Sequence, residues 1–279
     1  RFRRLTQPSL AAARPIRCLD YGSGTGFVPL AIGQLLKSDD MLICVDLSEQ
    51  LLEVCRENLS EAGFPCRRSF LPSNGKQIPV EDDSIDILTA NSVLHHIYDL
   101  ETFGLECHRV IKEGGLLIAS HEPNGDRNAP FGLKSCSFVF QLLLNPSLVV
   151  HKLVETSPAL ERALRKILSK TSASYRHRNQ MLRDIARQLR QEGLVDRDLR
   201  GVEIQQLVDY HTERGLRKNH LLQTVFTGFD LIEWQTYSHL GEQTLQSSLT
   251  RRLGRAMERV WPEHGHQIEF VLRKTDSGL

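Results

Sequence analysis

Apolar residues run along the chain in short blocks separated by polar or glycine-rich breaks. Residues 16–20 form a compact apolar run that ends in a glycine cluster, and Val28, Ala31, Ile32 and Leu35 follow at helical spacing. The pattern predicts a strand, a tight loop and a helix. The unit then repeats: 41–45 reads as a buried strand, Ser48 as a helix N-cap, and Leu51, Leu52, Cys55 and Leu59 as the apolar face of that helix. Weaker strand character at 67–71 precedes a clear strand at 85–90, a helix over 100–111 stopped by Gly114 and Gly115, and a fifth strand at 116–120. Strands alternating with helices at this spacing imply a parallel sheet covered on both faces, which binds ligands outside the carboxyl ends of its strands.

Beyond Glu122 the pattern changes. Residues 131–229 show amphipathic helices and no convincing strand, 230–237 regains strand character, 245–260 reads as a helix and 267–272 as a last strand. The expected division is a ligand-binding core over 1–130, a helical insertion over 131–229 that caps the sheet, and a segment over 230–279 that returns two strands to the core. The insertion opens on apolar positions, Phe131, Phe138, Phe140 and Val149 among them. Further on, Leu160, Leu164, Ile167 and Leu168 share one helix face, and Leu182, Ile185, Ala186 and Leu189 share another.

With 279 residues, 40% of them hydrophobic and 25% charged, the composition is that of a folded globular protein. A formal charge of +1 excludes a protein that coats nucleic acid by bulk positive charge. That balance hides an asymmetry: 1–130 carry 13 basic and 18 acidic side chains, whereas 131–230 carry 16 and 10. The expectation becomes an acidic core with a basic, partly apolar lid. Six cysteines at irregular positions, with no C-x-x-C pair, suit buried reduced thiols and a cytoplasmic location better than a disulfide framework. The chain begins Arg1-Phe2-Arg3-Arg4, without an initiator Met or the apolar run of a signal peptide, so its natural start lies open. Its most apolar stretch, 135–150, is shorter than the roughly 18 to 20 residues of a membrane span and is broken by Asn145-Pro146, so no transmembrane helix is predicted.

The strongest chemical signal is Leu19-Asp20-Tyr21-Gly22-Ser23-Gly24-Thr25-Gly26, an acidic strand end followed by G-x-G-x-G. Glycines suit a backbone that turns at positive φ and lets a ligand approach a helix N-terminus. Phe27 stands where a dinucleotide fingerprint requires glycine. Asp46 ends the second strand about twenty residues further on, where a carboxylate can accept both hydroxyls of a ribose. Taken one at a time, these features also fit a turn in some other α/β protein and a helix-capping Asp. Together with 86–96, Asp-Ile-Leu-Thr-Ala-Asn-Ser-Val-Leu-His-His, and with Val110 to Gly115 before the fifth strand, they resemble the class I methyltransferases of type 11 and 12, which use S-adenosylmethionine. The resemblance is close over 16–121 and loose over the last fifty residues.

The resemblance implies a Rossmann-like α/β fold: a seven-stranded, mostly parallel sheet with helices on both faces and a helical lid insertion between strands 5 and 6. It implies that Gly22 and Gly24 lie under the methionine part of the cofactor, that Asp20 faces its ammonium, that Asp46 holds the ribose and that Leu47 lies against adenine. Asn74, with Gly75 beside it, occupies the place where the family usually has an Asp for the adenine amine, and its amide oxygen is expected to accept that bond without charge. Tyr21, inside the loop, is expected at the methyl pocket or packed beneath the loop, and Asn91 beside the methionine portion.

Methyl transfer from a sulfonium is an in-line displacement in which alignment supplies most of the catalysis, so a base is required only where the acceptor must lose a proton. His95, His96 and His121 stand at strand carboxyl ends, where imidazole is suited to proton removal or equally to capping and packing. No His or Asp spacing matches a metal motif, and no metal is expected. The expected acceptor is a small hydrophobic or anionic molecule, methylated at O, C or N, and the basic lid also suits contact with an anionic membrane surface. Competing readings are an RNA methyltransferase and a cofactor-binding partner that performs no transfer. Against the first, Asn91 is followed by Ser92-Val93-Leu94, not by the Pro-Pro-aromatic turn of many base-modifying sites, and Tyr175 is the lone aromatic within 161–190. The oligomeric state is left open by the sequence.

Overall fold

The structure is a computed structural model, and it describes residues 14–128, 215–239 and 248–275. The chain divides into two compact units. One comprises Arg1–Arg127, Arg214–Tyr237 and Gly265–Leu279, and the other comprises Asn128–Glu213 and Ser238–His264. The first holds β1 (Arg17–Tyr21), α1 (Phe27–Gly33), β2 (Met41–Asp46), α2 (Glu49–Ala62), β3 (Arg67–Pro72), β4 (Ile85–Asn91), a 3-10 turn (Leu94–His96), α3 (Leu100–Val110), β5 (Ile111–Pro123), β6 (Phe229–Tyr237) and β7 (Gln267–Lys274). In the second, the described helix is α4 (Ser248–Val260).

The seven strands form one sheet in the order β3-β2-β1-β4-β5-β7-β6. Six run parallel, and β7 lies antiparallel between β5 and β6. Near-continuous apolar strands mark a sheet covered on both faces, and successive residues divide between two cores accordingly. Cys18, Leu42, Cys44, Ile87 and Leu116 pack with α1 and α2 through Ile32, Leu52, Cys55 and Leu59. Their neighbours Leu19, Ile43, Leu88 and Leu117 face the other way, onto Phe103, Cys107 and Val110 of α3. Helix α2 begins as the sequence predicts, with Ser48 Oγ accepting from Leu51 N at 3.3 Å, and ends at Gly63 in the left-handed region.

No helix links β3 to β4 among the described residues. Arg109 on α3 holds that connection instead, donating to the carbonyls of Val80 and Ile78 at 2.9 Å each, while Glu106 Oε2 accepts from Ile78 N at 2.9 Å. The edge of the insertion also differs from the sequence expectation, which placed its end at 229. Residues 215–229 already belong to the first unit: Leu216, Leu221, Val225 and Phe226 are buried in its core, and Leu216 bridges to Asn124. Polar residues between these four break the strand pattern, and they pack as a short helical turn running into a π-helical one. The segment 238–264, expected within the core, falls in the second unit. The amphipathic helices expected between 131 and 213 lie outside the described residues.

Candidate active site

The carboxyl end of β1 passes into the glycine loop, which is tied down from beneath. Gly22 N and Ser23 N both donate to Val45 O on β2, at 2.8 and 3.0 Å. Ser23 Oγ donates to Asp20 O at 2.8 Å and accepts from Val45 N at 3.1 Å. At Gly22 (φ 73) a Cβ would stand 2.5 Å from Val93 Cγ2, so glycine is required there for close packing against the segment after β4. Gly24 (φ 52) is different, because a Cβ there would meet nothing within 4 Å. Its N–H donates to Asp46 Oδ2 at 2.8 Å, and Asp46 Oδ1 accepts from Ser48 N at 2.9 Å. The open face of the loop therefore lies beside a carboxylate held at the end of the neighbouring strand.

Asp20 is buried, and Thr89 Oγ1 donates to its Oδ1 at 2.5 Å. Burial pushes this carboxyl up to about 7, although the bond from Thr89 pulls the other way. Leu47 is 66% exposed, and its Cδ2 would lie 3.3 Å from a Cβ at Gly75 (φ 75), so these two residues sit side by side past the ends of β2 and β3. Asn91 Oδ1 accepts from Ser120 Oγ at 2.7 Å.

Of the two places expected for Tyr21, the structure has the packed one: it is 7% exposed and its ring lies 4.9 Å from that of Phe103, because alternation along β1 turns it toward α3. The bond expected of Asn74 meets a different local geometry. Asn74 Oδ1 accepts from Lys76 N at 2.9 Å and Gln77 N at 3.0 Å. This is the local turn that Asn favours, and it engages the oxygen expected to meet an adenine amine.

His95 and His96 are part of the 3-10 turn after β4, with ring centroids 4.0 Å apart. His95 Nδ1 lies 2.8 Å from Oε2 of Glu122, whose side chain is fully buried. The same carboxylate accepts from Val93 N at 2.7 Å, Leu94 N at 2.9 Å and His95 N at 3.2 Å. His121 Nδ1 is 3.2 Å from the Tyr237 hydroxyl, which β6 delivers from more than a hundred residues away. Sequence reasoning missed Glu122 and Tyr237. The available signal for Glu122 was an acidic residue closing an apolar strand.

Residues 19–119 match the model of a family described as "Methyltransferase domain". Over 109 residues the chain is 29% identical to the ubiquinone/menaquinone biosynthesis C-methyltransferase UbiE of Vibrio vulnificus strain YJ016, covering 39% of this chain and 42% of that one. For the UbiE protein of Proteus mirabilis strain HI4320 the identity is 26% over 117 residues, with 42% and 47% covered. Residues 19–119 form a class I S-adenosylmethionine-dependent methyltransferase domain. The chain matches less than half the length of these curated relatives. Among solved structures, a SAM dependent methyltransferase from Aquifex aeolicus is 19% identical, with a TM-score of 0.39, covering 46% of this chain and 67% of that one.

The methyltransferase domain's strand ends fit such a cofactor. Among the described residues nothing would meet a Cβ at Gly24, Asp46 is fixed beside it, and Leu47 is an exposed apolar side chain just past the end of β2. A separate cavity of about 590 Å³ is lined by Arg17, Met41, Ile78 and Arg109. Arg17 and Met41 open β1 and β2, so it belongs to the opposite end of the sheet from the methyltransferase loops. Among the described residues no helix is long and apolar enough to cross a membrane, and no group of three His, Cys, Asp or Glu is arranged to hold a metal.

Proposed function

We propose that this protein transfers a methyl group to a small, predominantly hydrophobic molecule, at an atom that first gives up a proton. The observation that carries the cofactor half of this reading is the Gly24 N–H bond to Asp46 at the open face of the loop. When bound, S-adenosylmethionine supplies a methyl group on a sulfonium sulfur. Asp46 would hold the ribose hydroxyls, since each of its oxygens has a lone pair beyond the one given to the backbone. Gly22 and Gly24 would underlie the methionine part, Asn91 would border it, and Asp20 would face the ammonium from beneath the loop. Leu47 and Gly75 would flank the adenine. With the Asn74 oxygen engaged, its amide –NH₂ is the group left to meet the adenine edge as a donor.

His95 is the candidate base, because it lies at the strand ends with its orientation set by Glu122. The names of the matched relatives, C-methyltransferases, support methylation at carbon, and the apolar opening of the insertion supports a hydrophobic acceptor. The five described cysteines are buried free thiols, which supports a reducing compartment such as the cytoplasm.

The test is thermal unfolding with and without S-adenosylmethionine and S-adenosylhomocysteine, followed by a screen of phenolic and carbon-acid acceptors with methyl-labelled cofactor. Both ligands are expected to raise the melting temperature. Asp46→Ala should weaken binding about 100-fold, as expected for losing roughly 3 kcal/mol of bonds to a charged acceptor. Unchanged affinity in that variant would remove Asp46 from the site.

A further inference from the structure

Glu122 has an environment that a surface carboxylate never meets. It is 0% exposed, and among the described residues every hydrogen-bond partner of its oxygens is a nitrogen of one short segment, 93–95. Three are backbone N–H groups, which can only donate. The fourth is His95 Nδ1, and with a carboxylate oxygen 2.8 Å away it must carry the proton for the contact to be a hydrogen bond. The Nε2 atom then carries the lone pair, and no hydrogen-bond partner occupies it among the described residues. His95 keeps a side-chain exposure of 13%, so the ring is held but not sealed.

The backbone is distorted to reach this arrangement. Along the β5–β7 ladder, Ser120 faces Glu269 and Glu122 faces Ile268, with a register shift between them that leaves His121 as an extra residue. His121 adopts φ 61 and Ser92, at the end of β4, φ 56. For a non-glycine residue the left-handed region is disfavoured by the clash of Cβ with the following carbonyl, and a bulge of this kind re-aims the side chain that follows it. Strain at two neighbouring strand ends, converging on one buried carboxylate, is characteristic of a functional constraint.

We infer that Glu122 is the positioning residue of the site, fixing the His95 ring with Nδ1 protonated so that Nε2 presents its lone pair to the acceptor. The logic is that by which a buried carboxylate holds a catalytic imidazole in one tautomer. The proton step balances simply: the acceptor's C–H or O–H bond breaks, its electron pair stays on the acceptor atom, and the proton moves to Nε2. The substrate class follows, namely carbon acids and phenols, whose methylated atom is nucleophilic only after deprotonation. This assignment of substrate rests on the methyl-transfer reading above, whereas the tautomer does not.

The test is long-range ¹H–¹⁵N correlation spectroscopy of protein labelled in histidine, at a pH above the ordinary imidazole titration, with His95 assigned by difference from His95→Gln. Wild-type His95 is expected to show a protonated Nδ1 and an unprotonated Nε2. In Glu122→Gln the amide oxygen can still accept from Val93 and Leu94, but its –NH₂ faces Nδ1, so the two ring nitrogens are expected to exchange character. A wild-type ring protonated at Nε2 overturns the inference, and so does a Glu122→Gln protein whose tautomer is unchanged. If that variant does not fold, the wild-type spectrum decides alone. The rise in melting temperature with S-adenosylhomocysteine is measured on the same samples. Its absence in the wild type would overturn the cofactor reading, while the tautomer result would stand by itself.

Discussion

Burial of Asp20 at a strand end ties its proton to stability and, under the proposed function, to the cofactor as well. Its carboxyl titrates near 7 in the folded protein, against an ordinary value of 3.8. Between those values the folded state holds a proton that the unfolded chain releases, so this stabilising contribution is complete below about 4 and is lost as pH rises through about 7. Asp20→Asn removes the dependence: the melting temperature of the variant minus that of the wild type, both without ligand, should increase from pH 5 to pH 8. A cation bound above the loop favours the ionised form, so wild-type affinity for S-adenosylmethionine should rise with pH across 7, and the variant should show a flatter profile by calorimetry. Legibility at this scale was uneven. Asp20 and Asp46 stood out because strand ends are visible in the apolar pattern. The Asn74 partners were not visible, since a short polar side chain bonds to whatever backbone its own loop brings near, and Glu122 was hidden because a bulge reverses the direction in which a strand residue points.

At the level of elements, the site depends on how α3 and the segment after it are fixed to the sheet. Gly104 on α3 packs directly on the π-helical turn 221–225, where a Cβ would run into the carbonyl of Val225. Backbone cannot swing aside as a side chain can. Gly104→Ala is therefore expected to destabilise the protein by about 3 kcal/mol or more in urea unfolding, although alanine favours a helix over glycine by about 1 kcal/mol. A neutral or stabilising result would mean that the turn is not seated on α3 as described. Periodicity identified α2, α3 and all seven strands, because each has one or two faces that must leave water. It missed 215–229, which packs as irregular turns and so has no period to read.

Across the whole molecule the near-zero net charge divides into an acidic first segment and a basic middle one. If the acceptor is small and uncharged, kcat/KM should change little between about 50 and 200 mM salt, whereas an enzyme gripping several phosphates would lose orders of magnitude. A steep loss would return RNA to first place among acceptors. The α/β class was written in the order of the chain, and so were the glycines and carboxylates at the strand ends that make up the candidate site. Alternation, helical spacing and tight turns are local properties, and a parallel sheet can be wound in few ways. Contacts between distant segments lay beyond that reach: Glu122 beneath His95, Tyr237 beside His121, Val93 against Gly22, and Arg109 in place of a helix. Each arises where a bulge, a positive φ or an irregular turn sends a side chain off its regular course, and only the assembled sheet determines where that course ends.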